Sequence, residues 1–196
     1  PDGKKVASRG NKVILYDDTV EEMIEIAKKQ IKSKWDDINT KELEKRSKVI
    51  ALSAIKYSML AQDTKKVIVF DQEKAISFEG DTGPYLLYSY ARANSILKKF
   101  RKKIKLSVKD INDPEFLLMK KISIFEEVLI RASEQFNPSL IANYSFELAQ
   151  LFNEFYHSCK VIGSSREEFL IYLVKAFKLV LGKSLNLLGI ETLEEM

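Results

Sequence analysis

Apolar residues recur at three- and four-residue intervals along most of the chain, the spacing that lines one face of an α-helix, while strand-type alternation is scarce. Thr19 is placed to cap a first helix, with Glu21 and Glu22 near its positive end and Ile24, Ala27 and Ile31 as its stripe. A second helix is expected from Lys41 to Ala61, with Leu43, Ile50, Ala54 and Tyr57 along one side. Two segments break the helical period. Val13-Ile14-Leu15 could close a strand, and "KVIVF", Lys66 to Phe70, reads as a strand or buried extended piece followed by a turn at "DQEK".

The stretch "FEGDTGPYLLYSYAR", Phe78 to Arg92, marks a new start. Asp81 and Thr82 are good N-cap residues, and Pro84 suits a first helical turn because its missing N–H is not needed there. That helix should run to about Lys99. Pro114 opens another, with Phe116, Met119, Ile122, Phe125 and Leu129 on one face; Pro138 opens a third, where Ile141, Tyr144, Leu148, Leu151, Phe155 and Cys159 repeat. Ser165-Arg166-Glu167-Glu168 has the form of a capping box for a last helix striped by Phe169, Leu173, Ala176 and Val180 and stopped by Gly182. The expected architecture is mainly α: a helical bundle preceded by a smaller α/β remnant, with the boundary near Ser77.

Composition narrows the chemistry. The chain has 196 residues, 45% of them hydrophobic, enough for a packed core in one or two domains. Seven Gly and four Pro are too few for a linker-rich or disordered protein. One Cys and one His, Cys159 and His157, can build neither an internal disulfide nor a usual zinc site, so no metal centre is expected and a reducing compartment fits. No apolar run reaches the ~20 residues a bilayer span needs, and "PDGKKVASRG" does not form a signal peptide. The net charge of +4 is modest, but it is unevenly placed: "KKFRKKIK", Lys98 to Lys105, holds six basic residues in eight positions. Cations favour a helix C-terminus, yet six exceed that need, which suggests a polyanion.

On the third of the C-terminal helices, Phe146, Gln150, Asn153, His157 and Lys160 follow at intervals of four, three, four and three, so they line a second face beside the core stripe, with Tyr156 next to Asn153. Amides bordered by aromatics and cations suit single-stranded bases, which stack on rings and offer Watson–Crick edges; a solvated helix side is the plainer reading. Neither a GxGxxG nor a Walker spacing accompanies the two glycines of "FEGDTGPY". Glu79 and Asp81 are paired carboxylates without a second reactive group, so Asp81 is read as a cap. The basic, glycine-flanked "GKKVASRGNKV" could neutralise phosphates.

Together these segments resemble the C-terminal part of an arginyl-tRNA synthetase, a class I aminoacyl-tRNA synthetase. The family's helix-entry signature is similar to Phe78–Arg92, its anticodon helix to "YSFELAQLFNEFYHSC" at Tyr144–Cys159, and its closing pattern to "LLGI" at Leu187–Ile190 with Met196. "KVASR", Lys5 to Arg9, sits where class I enzymes carry the KMSKS-type loop, with Val6 and Ala7 in place of the usual Met and Ser; Leu87 and Tyr90 replace a Gln and a His of the entry signature. A cysteinyl-tRNA synthetase shares the style of domain, but "FEGDTGPY" favours the arginyl enzyme.

The resemblance implies residues 1–77 as the tail of a Rossmann-type catalytic domain with stem-contact helices, and residues 78–196 as an anticodon-binding helical bundle named after its DALR motif. It implies an intact enzyme that uses ATP, with Mg2+, to attach arginine to tRNA(Arg), and a chain that alone lacks the HIGH-type motif and is inactive. Lys5 and Arg9 would meet ATP phosphates in that intact enzyme. Base selection would centre on the middle cytosine of the anticodon. Asn153, Tyr156, Gln150 and Phe146 are the candidate anticodon contacts, and Lys98, Lys99, Arg101 and Lys102 the phosphate contacts, with Arg166, for the anticodon, and Lys175 as weaker candidates. The further expectations are a cytoplasmic monomer that uses neither DNA nor a membrane. The rivals are an autonomous helical RNA-binding module and a protein-interaction bundle.

Overall fold

The structure is a computed structural model that describes residues 15–33, 35, 37–100 and 110–196. Eight helices occur among the described residues: α1 (Tyr16–Lys32), α2 (Thr40–Leu60), α3 (Gln72–Ala75), α4 (Gly83–Lys99), α5 (Asp113–Ser123), α6 (Phe125–Glu134), α7 (Ser139–Ser158) and α8 (Glu167–Leu187). No described residue is in a strand. No described helix is long and apolar enough to cross a membrane.

The helix starts follow local chemistry, and several differ from the sequence-based expectation. α1 begins at Tyr16, and Thr19 lies inside its first turn, its hydroxyl donating to the Leu15 carbonyl at 3.0 Å instead of capping. Of the Val13–Leu15 run only Leu15 lies within the described residues, and it is exposed. "KVIVF" forms neither a strand nor a buried segment: Val67 and Val69 are 83% and 75% exposed. "DQEK" is not a plain turn but the start of α3, capped by the Asp71 carboxylate. Thr82, not Asp81, caps α4, accepting from the Tyr85 N–H at 3.2 Å.

The face expected from Phe116 to Leu129 is not continuous. The chain breaks at Ile124 into α5 and α6, leaving Phe116 exposed while Leu118 and Glu115 are buried. The Ser165 capping box does not form: Arg166 is the cap residue without a side-chain cap, and Glu167 instead accepts the Gly163 N–H at 2.8 Å. Gly182 does not stop α8. It lies inside the helix, where an added Cβ would meet the Tyr90 ring at 3.1 Å, so the glycine admits that ring. The stop is Gly189, at φ +66°, with its N–H bonded to the Asn186 carbonyl and that of Ile190 to Leu185, the paired pattern of a Schellman motif.

α7 lies at the centre of the bundle, touching α2, α4, α5, α6 and α8, while α1 packs along α2. Its apolar residues Leu148, Phe152 and Phe155 are fully buried. The first helical pair is joined to the bundle tightly. Tyr57 of α2 is buried, and its hydroxyl donates to Asp81 at 2.5 Å and stands 3.2 Å from the Ala142 carbonyl of α7. Burial, then the Asp81 hydrogen bond, holds this phenol protonated by pushing its pKa far up. One turn away, Gly83 lies on α2 so closely that a Cβ would sit 2.3 Å from the Ser53 carbonyl oxygen, and backbone cannot swing aside. Gly83→Ala is therefore expected to cost about 1–3 kcal/mol by prising α4 off α2, read as a lower chemical-denaturation midpoint with an unchanged slope. An unaltered midpoint would contradict the close approach.

Candidate nucleic-acid interface

α4 and α7 cross so that two rows of side chains meet: Tyr85, Tyr88, Ser89 and Arg92 from α4, and Phe146, Asn153 and Tyr156 from α7. The spacing that makes an amphipathic helix sets both rows, since residues three, four and seven apart share a face. Asn153 is the hub. Its amide nitrogen donates to the Tyr85 hydroxyl at 2.8 Å and the Ser89 hydroxyl at 3.2 Å, and its oxygen accepts from Arg92 Nη1 at 3.2 Å. Arg92 Nη2 donates to the Tyr88 hydroxyl at 2.5 Å.

The guanidinium carbon lies 4.6 Å from the Tyr88 ring centre and 4.8 Å from that of Tyr156, so Arg92 is held between two aromatic rings. Both rings remain 37% exposed. Tyr156 is backed by Phe152, with ring centres 6.5 Å apart, and Tyr85 packs edge-on against Phe146 at 5.7 Å. Tyr88, Ala91, Arg92, Ser95 and Met196 line a shallow depression of about 200 Å³ at this point. A larger groove of about 970 Å³ lies elsewhere, among α4, α6 and α8; Tyr90, Phe125, Leu129, Lys175 and Glu191 are among its lining residues.

The arrangement is preorganised for a flat, polar guest. The partly exposed Tyr88 and Tyr156 offer aromatic surface to a base beside Arg92, and a guanidinium fixed by its neighbours can offer its remaining N–H groups. Of the sequence-based candidates, Tyr156 and Asn153 belong to this cluster, but the Asn153 amide is committed to three protein partners and orients Arg92 instead of facing solvent. Phe146 is half-buried against Tyr85, and Gln150 is exposed on the outer side of α7. Arg166 is turned into the protein, where it pairs with the buried Glu115. Lys98 pairs with Glu195, and Lys99 and Lys175 are exposed. Lys5, Arg9, Arg101 and Lys102 lie outside the described residues. Tyr88 and Arg92 are not among the sequence-based candidates, although their spacing from Tyr85, by three and seven, stands within the helix-entry signature.

Comparison with known proteins identifies the family of the chain. Residues 86–196 match the family described as the DALR anticodon binding domain. An arginine–tRNA ligase of Lactobacillus johnsonii is 33% identical over 99% of the chain, and one of Streptococcus suis is 37% identical over all of it; each match takes up 35% of the relative. The chain thus spans about a third of the length of the curated relatives it matches. Among solved structures, the arginyl-tRNA synthetase of Thermus thermophilus superimposes with a TM-score of 0.88 at 31% identity, covering 95% of this chain and 33% of that one. That of Plasmodium falciparum gives 0.82 at 25% identity, covering 93% and 34%. The chain belongs to the DALR anticodon binding domain family, and its similarity runs throughout to the arginyl-tRNA synthetases.

Proposed function

We propose that this chain is the RNA-recognition part of an arginine–tRNA ligase and that the α4–α7 cluster receives a base of the anticodon loop of tRNA(Arg). The single observation that carries the reading is Arg92 held between Tyr88 and Tyr156 with Asn153 behind it. Cytosine is the base whose Watson–Crick edge presents two adjacent acceptors, O2 and N3, and a guanidinium offers two parallel donors to match them. Uracil and guanine place a donor at the centre of that edge. Stacking on Tyr156 or Tyr88 supplies sequence-independent affinity, and the guanidinium supplies the choice. Lys98, Lys99, Arg101 and Lys102 are assigned to backbone phosphates, which position without specifying.

Within the same proposal, the division near Ser77 separates a stem-contact portion from the bundle, and the longer enzyme uses ATP, Mg2+ and arginine. Lys5 and Arg9 are the residues of this chain assigned to ATP in that setting, by resemblance. A monomer in the cytoplasm is the state that fits such an enzyme.

Arg92→Ala tests the assignment. The variant is expected to lose about 1–3 kcal/mol against an anticodon stem-loop with a middle cytosine, and much less against one with a middle uridine, measured by fluorescence anisotropy. Tyr156→Ala should weaken both alike. Equal loss on both RNAs for Arg92→Ala would overturn its role in base choice.

A further inference from the structure

The last residues of the chain are fastened across the bundle. Leu193 is buried, and the buried Asn94 of α4 donates from its amide to the Glu194 carbonyl at 2.8 Å while accepting from Lys178 of α8 at 2.7 Å. Lys178 also pairs with the Glu194 carboxylate at 3.2 Å. This anchoring fixes where the next residue stands. The Glu195 carboxylate lies 2.7 Å from Lys98 Nζ of α4 and 3.7 Å from Arg46 Nη2 of α2. Arg46 is itself oriented, because its Nε is held by Glu42 one turn back at 2.7 Å, which leaves Nη2 directed at Glu195.

We propose that Arg46 and Lys98 form a subsite for one backbone phosphate of a bound RNA, and that the Glu195 carboxylate occupies it until RNA arrives. The inference rests on the RNA-binding reading above. A carboxylate and a phosphodiester both present anionic oxygens to a guanidinium and an ammonium, so one can replace the other on the same donors. Arg46 is not adjacent to the basic run in sequence; folding brings it there from the opposite side of the Ser77 boundary. The side chains of Lys98 and Glu195 are 53% and 60% exposed and that of Arg46 15%, so a strand reaches the subsite from the Lys98 side. The Lys98 hydrogen bond keeps Glu195 below the usual carboxylate range, and Glu195 is therefore an anion at neutral pH. Lys98 lies six residues along α4 from Arg92, about 9 Å by helical rise and about a third of a turn round the helix, and Met196, next to Glu195, lines the depression at Tyr88 and Arg92, so a single strand that follows the chain end can place a base at the tyrosines and a phosphate at Arg46 and Lys98.

Displacing Glu195 offsets part of what the phosphate contributes, because the cations already have a partner. Removing that charge should therefore strengthen and steepen binding. The test uses the whole chain, a fluorescein-labelled single-stranded RNA and a salt series, with Glu195→Gln, Lys98→Ala and the double variant. Thermal midpoints and circular dichroism control for folding. Glu195→Gln is expected to bind roughly threefold to tenfold tighter at low salt, with a slope of log affinity against log salt steeper by about 0.7, the share of one phosphate on a single strand. Lys98→Ala should abolish that gain. Unchanged affinity and slope in Glu195→Gln, with the wild-type chain binding, would overturn the subsite alone, as would a gain that survives loss of Lys98. Binding by Glu195→Gln but not by the wild type would support it in its strongest form. Binding by neither would overturn both the subsite and the RNA reading.

Discussion

Arg166→Ala is expected to destabilise the chain by about 3–5 kcal/mol while leaving RNA affinity per folded molecule unchanged. The cost comes from Glu115. Its carboxylate is fully buried at the start of α5, where it accepts from the Asn112 N–H at 3.2 Å, from the Cys159 thiol at 3.7 Å and from Arg166 Nη2 at 2.5 Å. One acid thus ties the start of α5, the end of α7 and the start of α8. Arg166 is the cation that compensates it, lying over the Phe169 ring, with its Nε buried and without a hydrogen-bond partner among the described residues. Deleting the guanidinium leaves a charge in a dry place, and a buried carboxylate without its partner costs far more than a surface pair is worth. Replacing both partners, as in Glu115→Gln with Arg166→Met, should recover much of the loss. Urea denaturation of the single and double variants gives the comparison. A single variant as stable as the parent would show that Arg166 is free to serve the surface.

Phe152→Ala should cost about 3–5 kcal/mol, by loss of apolar burial together with the cavity left behind. Phe152 is fully buried on α7 and stacks on Phe177 of α8 with ring centres 3.8 Å apart and planes 3° from parallel. It also backs Tyr156, so the same change should loosen the aromatic pair around Arg92 and weaken RNA binding beyond what the unfolded fraction explains. Phe152→Leu fills more of the space and should cost less than half as much. Thermal and denaturant midpoints read the stability, and anisotropy at a temperature where each variant is folded reads the site. A small loss from Phe152→Ala would mean that α7 and α8 close over the gap.

The helices were legible because a buried stripe at helical spacing is a strong and local signal: the α2 residues Leu43, Ile50, Ala54 and Tyr57 are all buried as their spacing demands. Ends and roles were less legible, since they depend on partners distant in sequence. Ser165 has the residue type of a cap, but Glu167 takes the Gly163 N–H instead, and Gly182 resembles a stop only until Tyr90 is seen against it. "KVIVF" has strand-forming side chains but no neighbouring strand among the described residues, and propensity alone does not make a sheet. The candidate site shows the same division. The face of Phe146, Asn153 and Tyr156 was visible in the helical period, but that the Asn153 amide would be taken up by Tyr85, Ser89 and Arg92 depends on how α4 crosses α7. Arg166 shows the same dependence: a cation on a helix start gives no sign in the sequence of its acid, 51 residues away.

The most direct test of the central claim is equilibrium binding of the chain to tRNA(Arg) and to a copy with the middle anticodon base changed, across a salt series. Tighter binding to the unaltered tRNA is expected at every salt concentration, with the difference lost in Arg92→Ala. Equal affinity for the two RNAs, from a chain shown to be folded, would contradict it.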